Sequence, residues 1–260
     1  MSDKTVNVHT IDGKTVREIA LPNVFNTPFR PDIIKRAVIT AQSNRYQPQG
    51  RDPKAGKRTT AESFGVGRAL ARVPRVKGER HPRSSMAAFA PNTVKGRLTH
   101  PPRKEKTLSK RINTKERRLA IESAIAATGM REIVVLRGHA LPEKMSLPLI
   151  VADEIETLDK ASTVRDVLRN LGAWTDVERV TLNRKMRGRH KNIRGRGIRQ
   201  AVGPLIVVSN DAGIGKAARN VPGLDVTTVR SLGAELLAPG AHPGRLTIWS
   251  ESAVKQLSKQ

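Results

Sequence analysis

Residues 44–111 constrain this chain more than any other part of it. The centre of the stretch reads Glu62-Ser-Phe-Gly-Val-Gly-Arg-Ala-Leu-Ala-Arg-Val-Pro-Arg-Val-Lys-Gly-Glu-Arg-His-Pro82. It is dense in Arg, Lys, Gly and Pro, and its apolar residues are too scattered to predict a helical face or a strand. Yet it lies between two segments with clear helical periodicity. Connections longer than ~12–15 residues without structure of their own are uncommon in compact domains, and are functional or disordered. Low hydrophobicity with like charge means that such a stretch cannot fold alone. Because it is internal, the chain must leave the fold and come back. At ~3.3 Å per residue, half of it reaches no further than about 100 Å.

The charge is distributed to match. The chain carries a formal +25 at pH 7, which calls for a polyanionic partner. Residues 43–111 hold 18 Lys/Arg against 4 Asp/Glu, and residues 184–199 hold 8 Lys/Arg with no acid, leaving +3 on the other 175 residues. A nearly neutral globule with two basic appendages is therefore expected. With 260 residues, of which 37% are hydrophobic, the remainder can bury a core. The chain has no cysteine, so disulfides and Cys-based zinc sites are excluded. No apolar run follows Met-Ser-Asp-Lys-Thr at the start, so no signal peptide is expected. Nor does any run approach the ~18–20 residues of a membrane span. The basic segments also lack the amphipathic Trp, Phe and Leu pattern of a membrane-surface helix, so no membrane partner is expected.

Outside the basic stretches the pattern is regular. Residues 4–21 alternate apolar and polar residues around Asp12-Gly13, which predicts a hairpin. Pro31-Asp32 opens a helix with Ile34, Ala37, Val38 and Ala41 on one face. Asn113 and Glu116 have capping-box spacing at the head of a second helix, with Ile121, Ala124, Ile125 and Thr128 on its face and Gly129 as its C-terminal cap. Beyond Gly129 short apolar runs predict strands at Ile133-Val-Val-Leu136, residues 147–151, Leu205-Ile-Val-Val208, residues 226–229 and Leu246-Thr-Ile-Trp249. Val164, Val167, Leu168 and Leu171 mark an intervening helix capped at Ser162 or Thr163. Buried strands alternating with amphipathic helices predict an α/β fold, a mainly parallel sheet flanked by helices. The expected organisation is one globule from residues 1–43 and 112–260, with residues 44–111 inserted as an extended, non-globular loop.

Phosphates would neutralise the repulsion within the basic stretches and release counterions, while Gly and Pro let the backbone lie close to another surface. The candidate phosphate contacts in the long loop are Arg45, Arg51, Lys54, Lys57, Arg58, Arg68, Arg72, Arg75, Lys77, Arg80, Arg83, Lys95, Arg97 and Arg103. Those in the second segment are Arg184, Lys185, Arg187, Arg189, Lys191, Arg194, Arg196 and Arg199. The plainer readings are a solvated disordered run for the first and a flexible surface loop for the second. No helix-turn-helix, zinc finger or basic zipper is legible. The chain has seven aromatics, and Tyr46, Phe64 and Phe89 are too far apart for a base-stacking platform. Arms that follow shape suit the crevices of a folded RNA better than a uniform duplex.

Other signals are weaker. Gly213-Ile-Gly215-Lys216 follows a strand, but Asn210 stands at the first glycine position of a phosphate loop, and Ala217 stands where Ser or Thr should follow the lysine. Gly65-Val-Gly67 lacks the third glycine of a dinucleotide fingerprint. Asp153, Glu154, Glu156 and Asp159 read as an acidic helix start favoured by the dipole rather than as a metal site. The histidines at positions 9, 81, 100, 139, 190 and 242 have no metal-ligand spacing, and His81 and His190 lie among cations. No catalytic residue, metal site or cofactor is expected. A nucleotide-dependent enzyme acting on RNA and a DNA-compacting basic protein are the alternatives.

Three stretches resemble a known family. They are Glu62-Ser-Phe-Gly-Val-Gly-Arg-Ala with Ala71-Arg-Val-Pro-Arg-Val76, then Lys185-Met-Arg-Gly-Arg leading to Gly213-Ile-Gly-Lys-Ala-Ala-Arg-Asn-Val-Pro-Gly223, and last Leu237-Ala-Pro-Gly-Ala-His-Pro-Gly-Arg245 with Ile248-Trp249 and Glu251-Ser-Ala253. With the hairpin start they span nearly the whole chain. The chain resembles the universal large-subunit ribosomal protein four in its archaeal and eukaryotic form. The resemblance implies a non-catalytic, cytoplasmic constituent of the large ribosomal subunit. Its α/β globule would sit on the outer face, and its loop would thread through large-subunit rRNA to the peptide exit tunnel. It implies that the tip spans residues 63–77, with Ser63, Phe64, Gly65, Val66, Gly67, Arg68, Arg72 and Arg75 at the tunnel or its rRNA wall. The implied partners are rRNA, the nascent peptide in transit and neighbouring proteins, including large-subunit protein twenty-two at the constriction. The long eukaryotic C-terminal extension has no counterpart after the Trp249 motif, so contacts that depend on it are not carried over. On this reading the loop takes its form only with rRNA, since ordering costs roughly 1–2 kcal/mol of backbone entropy per residue.

Overall fold

A computed structural model describes residues 5–143 and 145–258. In chain order the strands are β1 (Thr5–His9), β2 (Thr15–Ala20), β3 (Ala61–Glu62), β4 (Arg75–Val76), β5 (Leu149–Val151), β6 (Lys185–Met186), β7 (Ile198–Arg199), β8 (Leu205–Val208), β9 (Asp225–Thr228) and β10 (Thr247–Ser250). The helices are α1 (Pro31–Ser43), α2 (Thr114–Thr128), α3 (Arg131–Arg137), α4 (Ala161–Asn170), α5 (Trp174–Leu182), α6 (Arg189–Ile193), α7 (Ile214–Ala218), α8 (Ala234–Leu237) and α9 (Glu251–Leu257). The chain divides into two compact units, Met1–Gln42 with Lys110–Gln260, and Ser43–Ser109.

The larger unit is α/β. Its six-stranded sheet runs β2-β1-β5-β10-β8-β9. Only the β1–β2 hairpin is antiparallel; β1–β5, β5–β10, β10–β8 and β8–β9 are parallel. The period of two sorts each strand between two cores. Val8, Ile150, Leu205, Val207 and Trp249 join Ile34, Val38, Ala124, Ile125 and Val254 on one face. Leu149, Val151, Ile206, Val208 and Ile248 join Val164, Val167, Leu168, Val177 and Ile214 on the other. Helices cover both faces, which is why the central strands read as unbroken apolar runs. Trp249 is fully buried, and its ring meets Phe25 edge-on at 5.6 Å.

Several local expectations need correction. Residues 133–136 form no strand; they lie in α3, where Val134 is buried while Val135 and Leu136 are 50% and 87% exposed. Four β-branched or apolar residues in a row do not separate strand from helix. In α1, Ala41 is exposed and Thr40 is buried instead, with its hydroxyl donating to Arg36 O at 2.8 Å. Asn113 precedes α2, but its side chain makes no capping bond, and Glu116 pairs with Arg36 of α1 at 2.9 Å rather than reaching back. Gly129 is the C-cap of α2 as expected, though in a right-handed conformation that does not require a glycine. α4 starts at Ala161 behind Lys160, placing Ser162 and Thr163 inside its first turn.

The smaller unit is held by backbone hydrogen bonds more than by apolar contact. β3 and β4 pair antiparallel, Ala61 opposite Val76 and Glu62 opposite Arg75. Val76 N donates to Met86 O, Ser85 N to Val76 O and Ala88 N to Pro74 O. Val76 and Ala88 are its buried apolar residues. The expectation that this stretch forms no strand is thereby corrected. Two-residue pairings joined by turns need no apolar face, so a periodicity argument does not see them.

Candidate nucleic-acid interface

Within the smaller unit the predicted contacts Arg45, Arg51, Lys54, Lys57, Arg58, Arg68, Arg72, Lys77, Arg80, Lys95 and Arg103 are exposed, and Arg75, Arg83 and Arg97 are half-buried. Arg75 donates to Ser85 O at 2.9 Å and Arg83 to Val94 O at 3.3 Å, so these two also brace the turns. Two of the segment's carboxylates are engaged by its own cations: Asp52 by Arg58 at 2.6 Å, and Glu62 by Lys77 at 2.5 Å. Around residues 63–77, Val66 is 71% exposed and the Arg68 guanidinium lies 5.8 Å from the centroid of the half-buried Phe64 ring. Gly65 and Gly67 hold φ of 77° and 83°, and nothing stands within 4 Å of a Cβ added at either. They are glycines for the backbone path, not for want of room.

In the larger unit, residues 184–199 form a ribbon in place of the irregular loop that the sequence predicts. β6 and β7 pair Lys185 with Arg199 and Met186 with Ile198, Arg187 N donates to Gly197 O at 2.7 Å, and α6 sits between the two strands. All eight cations are exposed except Arg187, which is half-buried. Met186, Ile193 and Ile198 are exposed beside them.

The stem of this ribbon rests on a polar cluster that the sequence does not reveal. Arg179 donates from Nε to Asp176 Oδ1 at 2.8 Å and from Nη2 to Val202 O at 3.1 Å. Asp176 is fully buried, meets His139 Nδ1 at 2.8 Å and accepts from Ala140 N at 2.9 Å. Burial pushes the Asp176 carboxyl up, but hydrogen bonds with His139 and Arg179 outweigh it and hold the group below its ordinary value. Arg245, 1% exposed, donates to Gly203 O, Leu236 O, Pro204 O, Gly223 O and the Asp225 carboxylate. Burial foremost, then the nearby Arg245 and Arg179, lowers the Arg137 pKa to about 10.

Burial also lowers the His139 pKa against the pull of Asp176. The native imidazole therefore stays neutral at a pH where the unfolded chain has taken up a proton, and stability falls as pH drops below the ordinary histidine value of about 6.5. Urea unfolding at pH 7.5 and 5.5 should show a larger loss for the native chain than for His139→Gln, by up to about 1.4 kcal/mol per pH unit. Equal losses would show that the buried ring does not titrate in this way.

The carboxyl ends of the parallel strands, where open α/β sheets take ligands, are filled by the chain itself. Glu156 Oε1 accepts from Ser209 N at 2.8 Å and from the Ser250 and Ser252 hydroxyls at 2.7 Å each. Asp153 accepts from Ser252 N at 2.7 Å. At the head of α7, Gly213 N and Gly215 N donate to Asp211 Oδ1 at 3.1 and 3.0 Å. The donors that would cradle a phosphate in that loop already hold a carboxylate. Among the described residues no group of three or more His, Asp or Glu is arranged to hold a metal ion, and no helix is long and apolar enough to cross a membrane.

Fold and site together define a basic α/β protein whose charge is concentrated in two segments and whose strand ends are closed by its own side chains. The chain belongs to the ribosomal protein L4/L1 family, whose model matches residues 19–260. It is 50% identical over 252 residues to large ribosomal subunit protein uL4 of Methanosphaera stadtmanae, covering 97% of this chain and 95% of that one. It is 47% identical over 253 residues to the uL4 protein of Methanopyrus kandleri, covering 97% of both chains. The Halorubrum lacusprofundi protein of the same name is 48% identical over 251 residues, 96% of this chain and 98% of its own. The resemblance drawn from the three motif stretches is to this family, in its archaeal form.

Proposed function

We propose that this chain is a structural constituent of the large ribosomal subunit in the cytoplasm. It binds large-subunit rRNA through residues 44–111 and 184–199, and residues 63–77 line the peptide exit tunnel facing large-subunit protein twenty-two and the nascent peptide. Residues 1–43 and 112–260 act as the rRNA-binding globule, and the long loop takes its working form inside the RNA. The observation that carries this reading is the segregation of charge: nearly all of the net +25 lies on two segments, most of whose cations are exposed. Family membership and the names of the relatives support the ribosomal setting. Neutralising arginines of residues 184–199 one at a time should lower the magnitude of the salt slope of rRNA affinity by up to about one each. Filter binding across a salt series reads this directly, and a slope unchanged after several substitutions would remove the ribbon from the interface.

A further inference from the structure

An apolar groove of about 720 Å³ lies between α1, α3 and the loop that follows α8. That volume is in the range that holds small organic groups. Its apolar side is made by Phe29, Ile133, Pro243 and Leu136, and Leu136 is 87% exposed. Lys35, Arg137 and His242 also line it, and no carboxylate does.

The groove's unpaired cation suits a ligand of negative charge, and its loop is held in a set shape. The half-buried Arg137 has no ion pair among the described residues, and its Nη1 is buried without a hydrogen-bond partner while Nη2 donates to Pro239 O at 3.1 Å. An orphaned donor of this kind calls for an acceptor. The loop is also held in a costly shape. Gly240 and Ala241 are both left-handed, at φ 72° and 66°, and a non-glycine residue there costs of order 1 kcal/mol or more. Gly244 has φ 87°, and a Cβ added to it would stand 2.9 Å from Ile133 O, so the loop is clamped onto α3 at that end.

We propose that this groove receives a single unpaired nucleotide of the bound RNA, its base against Leu136, Ile133 and Phe29 and its phosphate on Arg137 and Lys35. Proteins that read folded RNA take splayed bases from loops and bulges in this way. The inference rests on the RNA-binding reading above. It adds a contact that is apolar in part and lies outside both basic segments.

The test uses the full chain bound to rRNA extracted from large subunits of the same organism. Ultraviolet cross-linking with mass spectrometry should place nucleotide adducts on residues 131–137 or 239–243. Leu136→Ser, at an exposed position, should weaken binding about fivefold with the salt slope unchanged, as loss of an apolar contact requires. Lys35→Gln should instead lower the slope magnitude by about one. Full affinity in Leu136→Ser, with no adduct in either segment, would overturn the groove while leaving the RNA reading intact. Protein–protein cross-links from these residues in intact subunits would assign the groove to a neighbouring protein and overturn it too. Absence of any rRNA binding by the unaltered chain would instead sink the underlying reading.

Discussion

Replacing Arg245 with methionine should lower the unfolding free energy of the globular unit by about 3–5 kcal/mol in a urea titration. The side chain is 1% exposed and donates to the carbonyls of Gly203, Pro204, Gly223 and Leu236. Two connections and the helix α8 are thereby tied to the start of β10. A methionine of similar bulk keeps the packing but takes the guanidinium from Gly203 O and Leu236 O, while Pro204 O and Gly223 O keep the backbone donors Asp225 N and Gly203 N. Each unsatisfied buried group costs on the order of 1–3 kcal/mol. Swapping a buried ion pair for apolar residues can be neutral, but that rule concerns removal of both partners, and here the carbonyls stay. Asp225 is the control. Its side chain is 52% exposed, so Asp225→Asn should cost no more than about 1 kcal/mol. If Arg245→Met unfolded within about 1 kcal/mol of the native chain, the guanidinium would not be the tie that the geometry describes.

Deleting residues 55–95 should leave the globule folded and lower rRNA affinity about a thousandfold or more near physiological salt. The first half follows from the cores: neither hydrophobic cluster of the sheet draws a residue from 43–109. The second follows from electrostatics. The deletion removes nine cations, and proteins that make several phosphate contacts owe orders of magnitude in affinity to counterion release. Calorimetry of the shortened chain and filter binding read the two halves separately. Loss of a cooperative transition would show that the globule depends on the segment. Unchanged affinity would remove that segment from the RNA contact.

What the sequence made legible, and what it hid, follows from the range of each force. Leu205-Ile-Val-Val208 could be read as a strand because a sheet covered on both faces demands an unbroken apolar run, and β8 is that run. The hairpin around Asp12-Gly13 could be read because its turn chemistry is local. Ile133-Val-Val-Leu136 misled because its periodicity is too short to decide, and tertiary packing made it a helix. The cationic segments were visible as composition. The strand pairings inside them were not, because they rest on backbone donors that every residue has. Least visible was the Arg245, Asp176, His139 and Arg179 cluster. A buried arginine or histidine looks like an exposed one until the fold brings its partners together, here from residues 139 to 245.

The sheet order has a consequence for biosynthesis. β10 lies between β5 and β8, yet the chain makes it after both. Until residues 247–250 exist, the two strands they will join each show a bare apolar edge, and no strand pairs with either on that side. Such edges invite wrong partners. During synthesis the sheet is therefore open at its centre while the polycation is already complete in sequence, and the final strand acts as a keystone whose arrival lets the globule set.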